Sequence, residues 1–125
     1  MKRRVFIWIV PFLMLVVFHG LALADKAAVS IEGPATAVKG SEVTLKVTVT
    51  HSANRSTHYT EWLKVMSGGK EIARWNYTSS QRPEAAVFTK EVKVKILENV
   101  EISAEANCNV HGSQGPATLK LSVKE

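Results

Sequence analysis

Three histidines and one cysteine fall into two short stretches of this chain. His51 and His58 bracket the run His51-Ser-Ala-Asn-Arg-Ser-Thr-His58, and Cys108 and His111 form Cys108-Asn-Val-His111-Gly112. Imidazole nitrogens and a thiolate suit a borderline transition metal such as iron, copper or zinc, whereas magnesium and calcium take oxygen. Cys108 and His111 are two residues apart, so one tight turn can aim both at a single ion. Gly112 lets the backbone fold sharply there. A closed four-coordinate set favours structural zinc, and a set with an open position favours redox or Lewis-acid chemistry. Burial of the lone thiol is the plainer alternative for Cys108; its spacing from His111 tips the reading towards ligation.

Strands must position these donors. Val43, Leu45, Val47 and Val49 alternate with polar residues from Glu42 to Thr50. The same period of two runs through Val92–Ile96, Val100–Ala106 and Leu119–Val123, with weaker runs near Ala27–Glu32, His58–Met66 and Glu71–Tyr77. Turn signals separate them at Gly33-Pro34, Lys39-Gly40, Ser67-Gly68-Gly69, Arg82-Pro83 and Gly115-Pro116. The pattern predicts an all-β fold, an immunoglobulin-like antiparallel β-sandwich of about seven strands. Cys108 continues the inward parity of Val100 to Ala106, and His51 continues that of Val43 to Val49. Both donors are therefore expected where the chain leaves a strand, on the sandwich rim.

Residues 1–24 carry the signature of a signal peptide. Lys2, Arg3 and Arg4 precede the uncharged apolar run Val5–Phe18, and Ala22-Leu23-Ala24 offers small residues for cleavage. Cleavage after Ala24 leaves one small domain, residues 25–125, as an exported protein, periplasmic or extracellular, with no membrane segment. The apolar run is shorter than the roughly 20 residues a spanning helix needs. Arg3-Arg4 also resembles a twin-arginine export signal, whereas the strongly apolar run suits the general secretory route; both routes stay open. The fourth histidine, His19, leaves with the signal.

Cleavage also removes three basic residues and no acidic one, so the net charge falls from +5 to +2. With no basic run and no aromatic-basic interleaving, nucleic acid is excluded as the expected partner. Cys108 is the only cysteine. Exported proteins use cysteines in pairs, so a lone thiol there calls for a metal, an intermolecular disulfide or burial.

Cys108-Asn109-Val110-His111-Gly112 resembles the Cys-Asn-x-His-Gly motif of the desulfoferrodoxin/neelaredoxin family, the superoxide reductases. His58-Tyr59-Thr60-Glu61-Trp62-Leu63 is similar to that family's His-His-x-Glu-Trp-x strand. His51 matches its other loop histidine, with one more residue in between. The resemblance covers roughly Glu42 to Ser122. It implies a mononuclear non-haem iron held by equatorial histidines and an axial cysteine, with an open position that meets superoxide and an external electron donor. His51, His58 and His111 carry over as equatorial ligands and Cys108 as the axial thiolate. The fourth histidine does not carry over: the family takes it from a Glu-Lys-His-x-Pro segment, and no histidine stands between Asp25 and Thr50.

Two other readings compete. A cupredoxin-like copper carrier is also an exported β-sandwich with one cysteine, and Gln114 could serve as its axial ligand. A non-catalytic immunoglobulin-like module, binding a metal or a partner, shares the fold class. Trp62, Trp75 and Tyr77 are expected in core or rim packing. Glu61 and Lys64 are expected to be solvated strand residues, with a supporting role at the metal or in attracting an anion as the less common case. Asn54 and Asn76 begin glycosylation sequons.

Overall fold

The alternating pattern becomes eight strands in the computed structural model, which describes residues 25–125. The signal-peptide reading lies outside the described residues. The strands are β1 (Ala28–Glu32), β2 (Thr36–Val38), β3 (Glu42–Thr50), β4 (Thr60–Ser67), β5 (Lys70–Asn76), β6 (Val87–Lys95), β7 (Val100–Cys108) and β8 (Ala117–Lys124). One sheet has the order β1-β3-β6 and the other β2-β8-β7-β4-β5. They pack as a sandwich. No helix among the described residues is long and apolar enough to cross a membrane.

The core is built from the inward rows that the sequence period marks. Leu45, Val47 and Val49 of β3 and Phe88 and Val92 of β6 are buried in one cluster with Leu63 and Val65 of β4 and Ile102, Ala104 and Ala106 of β7. Each large aliphatic side chain so buried contributes roughly 1.5–3 kcal/mol. Trp75 and Tyr77 pack against this cluster, as expected. Trp62 does not; it lies on the outer face, with the Lys64 ammonium 5.2 Å and the Arg74 guanidinium 5.5 Å from its ring centre.

Eight strands stand where about seven were expected, and one pairing departs from the antiparallel expectation. The eighth strand is β2, and it pairs with β8 in parallel, Ala37 opposite Val123. Three residues are too few to show a period of two, so no alternation marks it. The chain leaves β1 at Gly33-Pro34 and crosses to the edge of the other sheet, so it runs beside β8 rather than against it. Gly33 permits that crossing. A Cβ at this position would lie 2.6 Å from Leu45 Cδ2 and 2.9 Å from Leu119 Cδ2.

Three chain segments converge at one end of the sandwich. Thr60, which begins β4, pairs with Cys108, which ends β7. Thr50, which ends β3, pairs with Ala28, which begins β1. The His51–His58 loop, the Cys108–Gly112 turn and the segment leading into β1 therefore share this rim.

Candidate metal centre

The Cys108–Gly112 turn is closed by paired backbone hydrogen bonds. Cys108 N–H donates to Gly112 O at 2.8 Å, and Gly112 N–H donates to Cys108 O at 3.1 Å. Gly112 takes φ of +82°, a left-handed conformation that residues with a Cβ adopt reluctantly. The turn points two backbone N–H groups at the sulfur: Val110 and His111 both donate to Cys108 Sγ at 3.4 Å. Cys108 itself is 1% exposed, the last residue of the inward row of β7.

Asn109 ties this turn to the histidine loop. Its Oδ1 accepts from Tyr59 N–H at 2.9 Å, its Nδ2 donates to Thr57 O at 3.2 Å, and its own N–H donates to Tyr59 O at 3.1 Å. His58, one residue before Tyr59, is thereby held over Cys108. A reciprocal backbone pair, Arg55 N–H to His58 O at 2.9 Å and His58 N–H to Arg55 O at 3.0 Å, tightens the loop behind it.

His51 follows β3 and is 4% exposed. Its N–H donates to Ala86 O at 3.1 Å, anchoring it to the residue before β6. Both ring nitrogens have neighbours: Thr60 Oγ1 lies 3.3 Å from Nδ1, and Asp25 O lies 3.2 Å from Nε2. Burial lowers its pKa below the ordinary 6.5, and positive charge on His58 or His111 would lower it further; the Asp25 carbonyl and carboxylate act in the opposite sense. The net effect favours neutral imidazole, the form that ligates a metal.

The ligand atoms of His51, His58 and Cys108 all lie within 4.8 Å of one another. The His51 and His58 rings meet edge to face, with centres 4.8 Å apart. His111 is exposed and joins this trio from the solvent side, its Nδ1 3.3 Å from His58 Nε2 and 3.8 Å from Cys108 Sγ. Donors bound at about 2.0–2.3 Å to one ion sit roughly 3 Å apart when adjacent and somewhat over 4 Å apart when opposite. Donors no more than 4.8 Å apart can be brought to that spacing by side-chain rotation, so the donor set fits a transition metal. The donors are nitrogen and sulfur, which suits iron, copper or zinc.

Of the weaker candidates, Glu61 accepts from Asn107 Nδ2 at 3.0 Å, and Lys64 lies 3.7 Å from Glu105. The same Asn107 amide also donates to Cys108 O at 3.1 Å, so Glu61 touches the ligand turn only through Asn107. Two neighbours of the site escaped sequence reasoning. Thr60 sits at an even position that alternation places with outward-facing Trp62 and Lys64. A β-bulge between Thr60 and Trp62 turns it inward. Asp25 precedes the first strand and belongs to no motif.

The desulfoferrodoxin family model matches residues 22–113. No curated protein matches the chain by sequence. Among solved structures, the chain is similar to the superoxide reductase (neelaredoxin) from Ignicoccus hospitalis at 18% identity and a TM-score of 0.70, over 86% of this chain and 89% of that one. A fibronectin(III)-like module of Clostridium thermocellum CbhA superposes at 20% identity and a TM-score of 0.53, over 77% of this chain and 96% of that one. The sulfur carrier protein SoxY from Chlorobium limicola f thiosulfatophilum does so at 11% identity and a TM-score of 0.56, over 78% and 79%. At these identities the three structures attest the fold alone.

Proposed function

The chain belongs to the desulfoferrodoxin family, and from that premise we propose that it is a mononuclear non-haem iron protein that reduces superoxide to hydrogen peroxide. The observation that carries this reading is the convergence of His51, His58 and Cys108 within 4.8 Å at one rim. These residues would hold a ferrous ion, whose chemistry would be the one-electron reduction that, with two protons from water, turns superoxide into hydrogen peroxide, an external donor returning the electron.

The protein's residues supply the setting. Cys108 offers a buried sulfur that accepts from two backbone N–H groups. His51 offers an imidazole kept neutral by burial. His58 and His111 stand on the outer side, and the exposure of His111 leaves the small anion an approach from solvent. His111 as a third imidazole ligand is part of the proposal.

Among the described residues the one methionine stands away from Cys108, which leaves Gln114 as the axial candidate of the copper-carrier reading. Met66 pairs with Ser103, towards the far end of β4 from Cys108. Export with cleavage after Ala24 is likewise proposed, on the basic, apolar and small-residue order of residues 1–24; N-terminal sequencing of secreted protein tests it.

The functional test is anaerobic loading with ferrous ion followed by metal analysis, electron paramagnetic resonance and stopped-flow mixing with superoxide. The expected result is one iron per chain, oxidised by superoxide far faster than free ferrous ion, with uptake lost in Cys108→Ser. Iron that oxidises no faster than the free ion ends the enzymatic claim. Metal and colour retained by Cys108→Ser end the thiolate assignment.

A further inference from the structure

Asp25 stands beside the metal trio although no motif predicts it there. Backbone bonds fix the segment that carries it. Ala27 N–H donates to Gly112 O at 3.3 Å, Gln114 N–H donates to Ala27 O at 3.0 Å, and Ala27 is fully buried. The segment thus lies alongside the Cys108–Gly112 turn, and Asp25 O comes to 3.2 Å from His51 Nε2.

The hydrogen bonding around His51 shows what that contact becomes when metal is bound. Thr60 is 2% exposed, and its hydroxyl partner is His51 Nδ1. A buried hydroxyl stripped of its partner costs roughly 1–3 kcal/mol. Keeping Nδ1–H on Thr60 Oγ1 avoids that cost. Nε2 is then the ligand atom and carries no proton. The Asp25 carbonyl would face a nitrogen lone pair at 3.2 Å, an unfavourable pairing of two acceptors. A cation shared by both removes the conflict. Two adjacent ligands on one ion lie roughly 3 Å apart, close to the spacing observed.

We infer that Asp25 supplies an oxygen donor to the metal, taking a coordination position that the family assigns to a histidine this chain lacks. The inference rests on the iron-site reading above. The donor is the backbone carbonyl or the side-chain carboxylate, the two oxygen sources on this residue. Cleavage after Ala24 would leave both in place.

Asp25 is the only aspartate in the chain, so isotopic labelling of aspartate marks one residue. The experiment is isotope-edited infrared difference spectroscopy on zinc addition, with carbon-13 at the backbone carbonyl or at the side-chain carboxylate in separate samples. It is paired with cobalt titration of the protein and of Asp25→Ala, followed by absorption. A shift of the labelled amide band with near-unchanged cobalt affinity in Asp25→Ala assigns the carbonyl. A shift of the carboxylate bands with at least tenfold weaker cobalt binding in Asp25→Ala assigns the carboxylate. Cobalt bound with a sulfur charge-transfer band, while neither labelled band moves with zinc, overturns this inference and leaves the iron-site reading standing. No cobalt uptake at all overturns both.

Discussion

Thr60 Oγ1 lies 3.3 Å from Nδ1 of His51, and both residues are buried at the rim where β3 ends and β4 begins. The bulge at Glu61 brings this about, since unbroken alternation would leave Thr60 facing outward with Trp62. The hydroxyl fixes the ring orientation of the ligand. Thr60→Val keeps the shape and removes the hydrogen bond. Metal affinity is expected to fall about 10–100-fold. The apoprotein should lose only about 1 kcal/mol, read by urea unfolding. Unchanged cobalt affinity in this variant would show that the ring needs no such support.

Asn109 carries the contact between the two ligand segments. Asn109→Ala removes the side-chain hydrogen bonds to Tyr59 N–H and Thr57 O. Two such bonds contribute about 1–3 kcal/mol together. His58 rides on this contact, so the variant should lose metal affinity in addition to stability. Urea midpoints for the apoprotein and cobalt titration for the site separate the two effects. A loss of stability with full affinity would show that His58 is held by the Arg55–His58 turn alone.

Much of this was legible in the sequence because inward rows obey a period of two. That period put Cys108 and His51 at strand ends, and both are buried there. The motif resemblance brought the two loops to one rim, which parity by itself could not do. Three features left no trace. β2 is too short to show alternation and takes its place from its partner β8. Thr60 reverses its face through a bulge, which pairing with β7 determines. Asp25 is positioned by backbone bonds between Ala27 and residues 112–114, and backbone hydrogen bonding is blind to side-chain identity.

Metal removal should leave the fold standing. The core of Leu45, Val47, Val49, Leu63, Val65 and Ile102 buries aliphatic side chains from both sheets, and that burial does not depend on metal ligation. A chelator is therefore expected to abolish cobalt or iron absorption while the far-ultraviolet β-sheet signal persists. A ligand that binds only the folded state raises stability by mass action, so the apoprotein should melt earlier by an amount that grows with metal concentration. Loss of the β-sheet signal on chelation would assign the metal a structural role instead.

Tyr77 gives a pH test away from the metal. Its ring packs edge-on against Phe88 with centres 5.7 Å apart, and its buried hydroxyl has no hydrogen-bond partner among the described residues. Burial, aided by the negative charge of Glu84, pushes its pKa from 10.0 up to about 12. Below pH 10 the phenol is protonated in folded and unfolded chains alike, and it adds no slope. Between the unfolded and folded values the unfolded chain gives up the proton and the folded one keeps it, so stability falls as pH rises. Tyr77→Phe removes this term and the unpaired hydroxyl together. At pH 7 the variant should match the parent or exceed it by up to about 1 kcal/mol. At pH 11 its advantage should widen, because lysine ionisation acts on both proteins and cancels in the difference. Urea midpoints at the two pH values check this, and an advantage that stays constant would mean the phenol ionises as freely in the fold as in the unfolded chain.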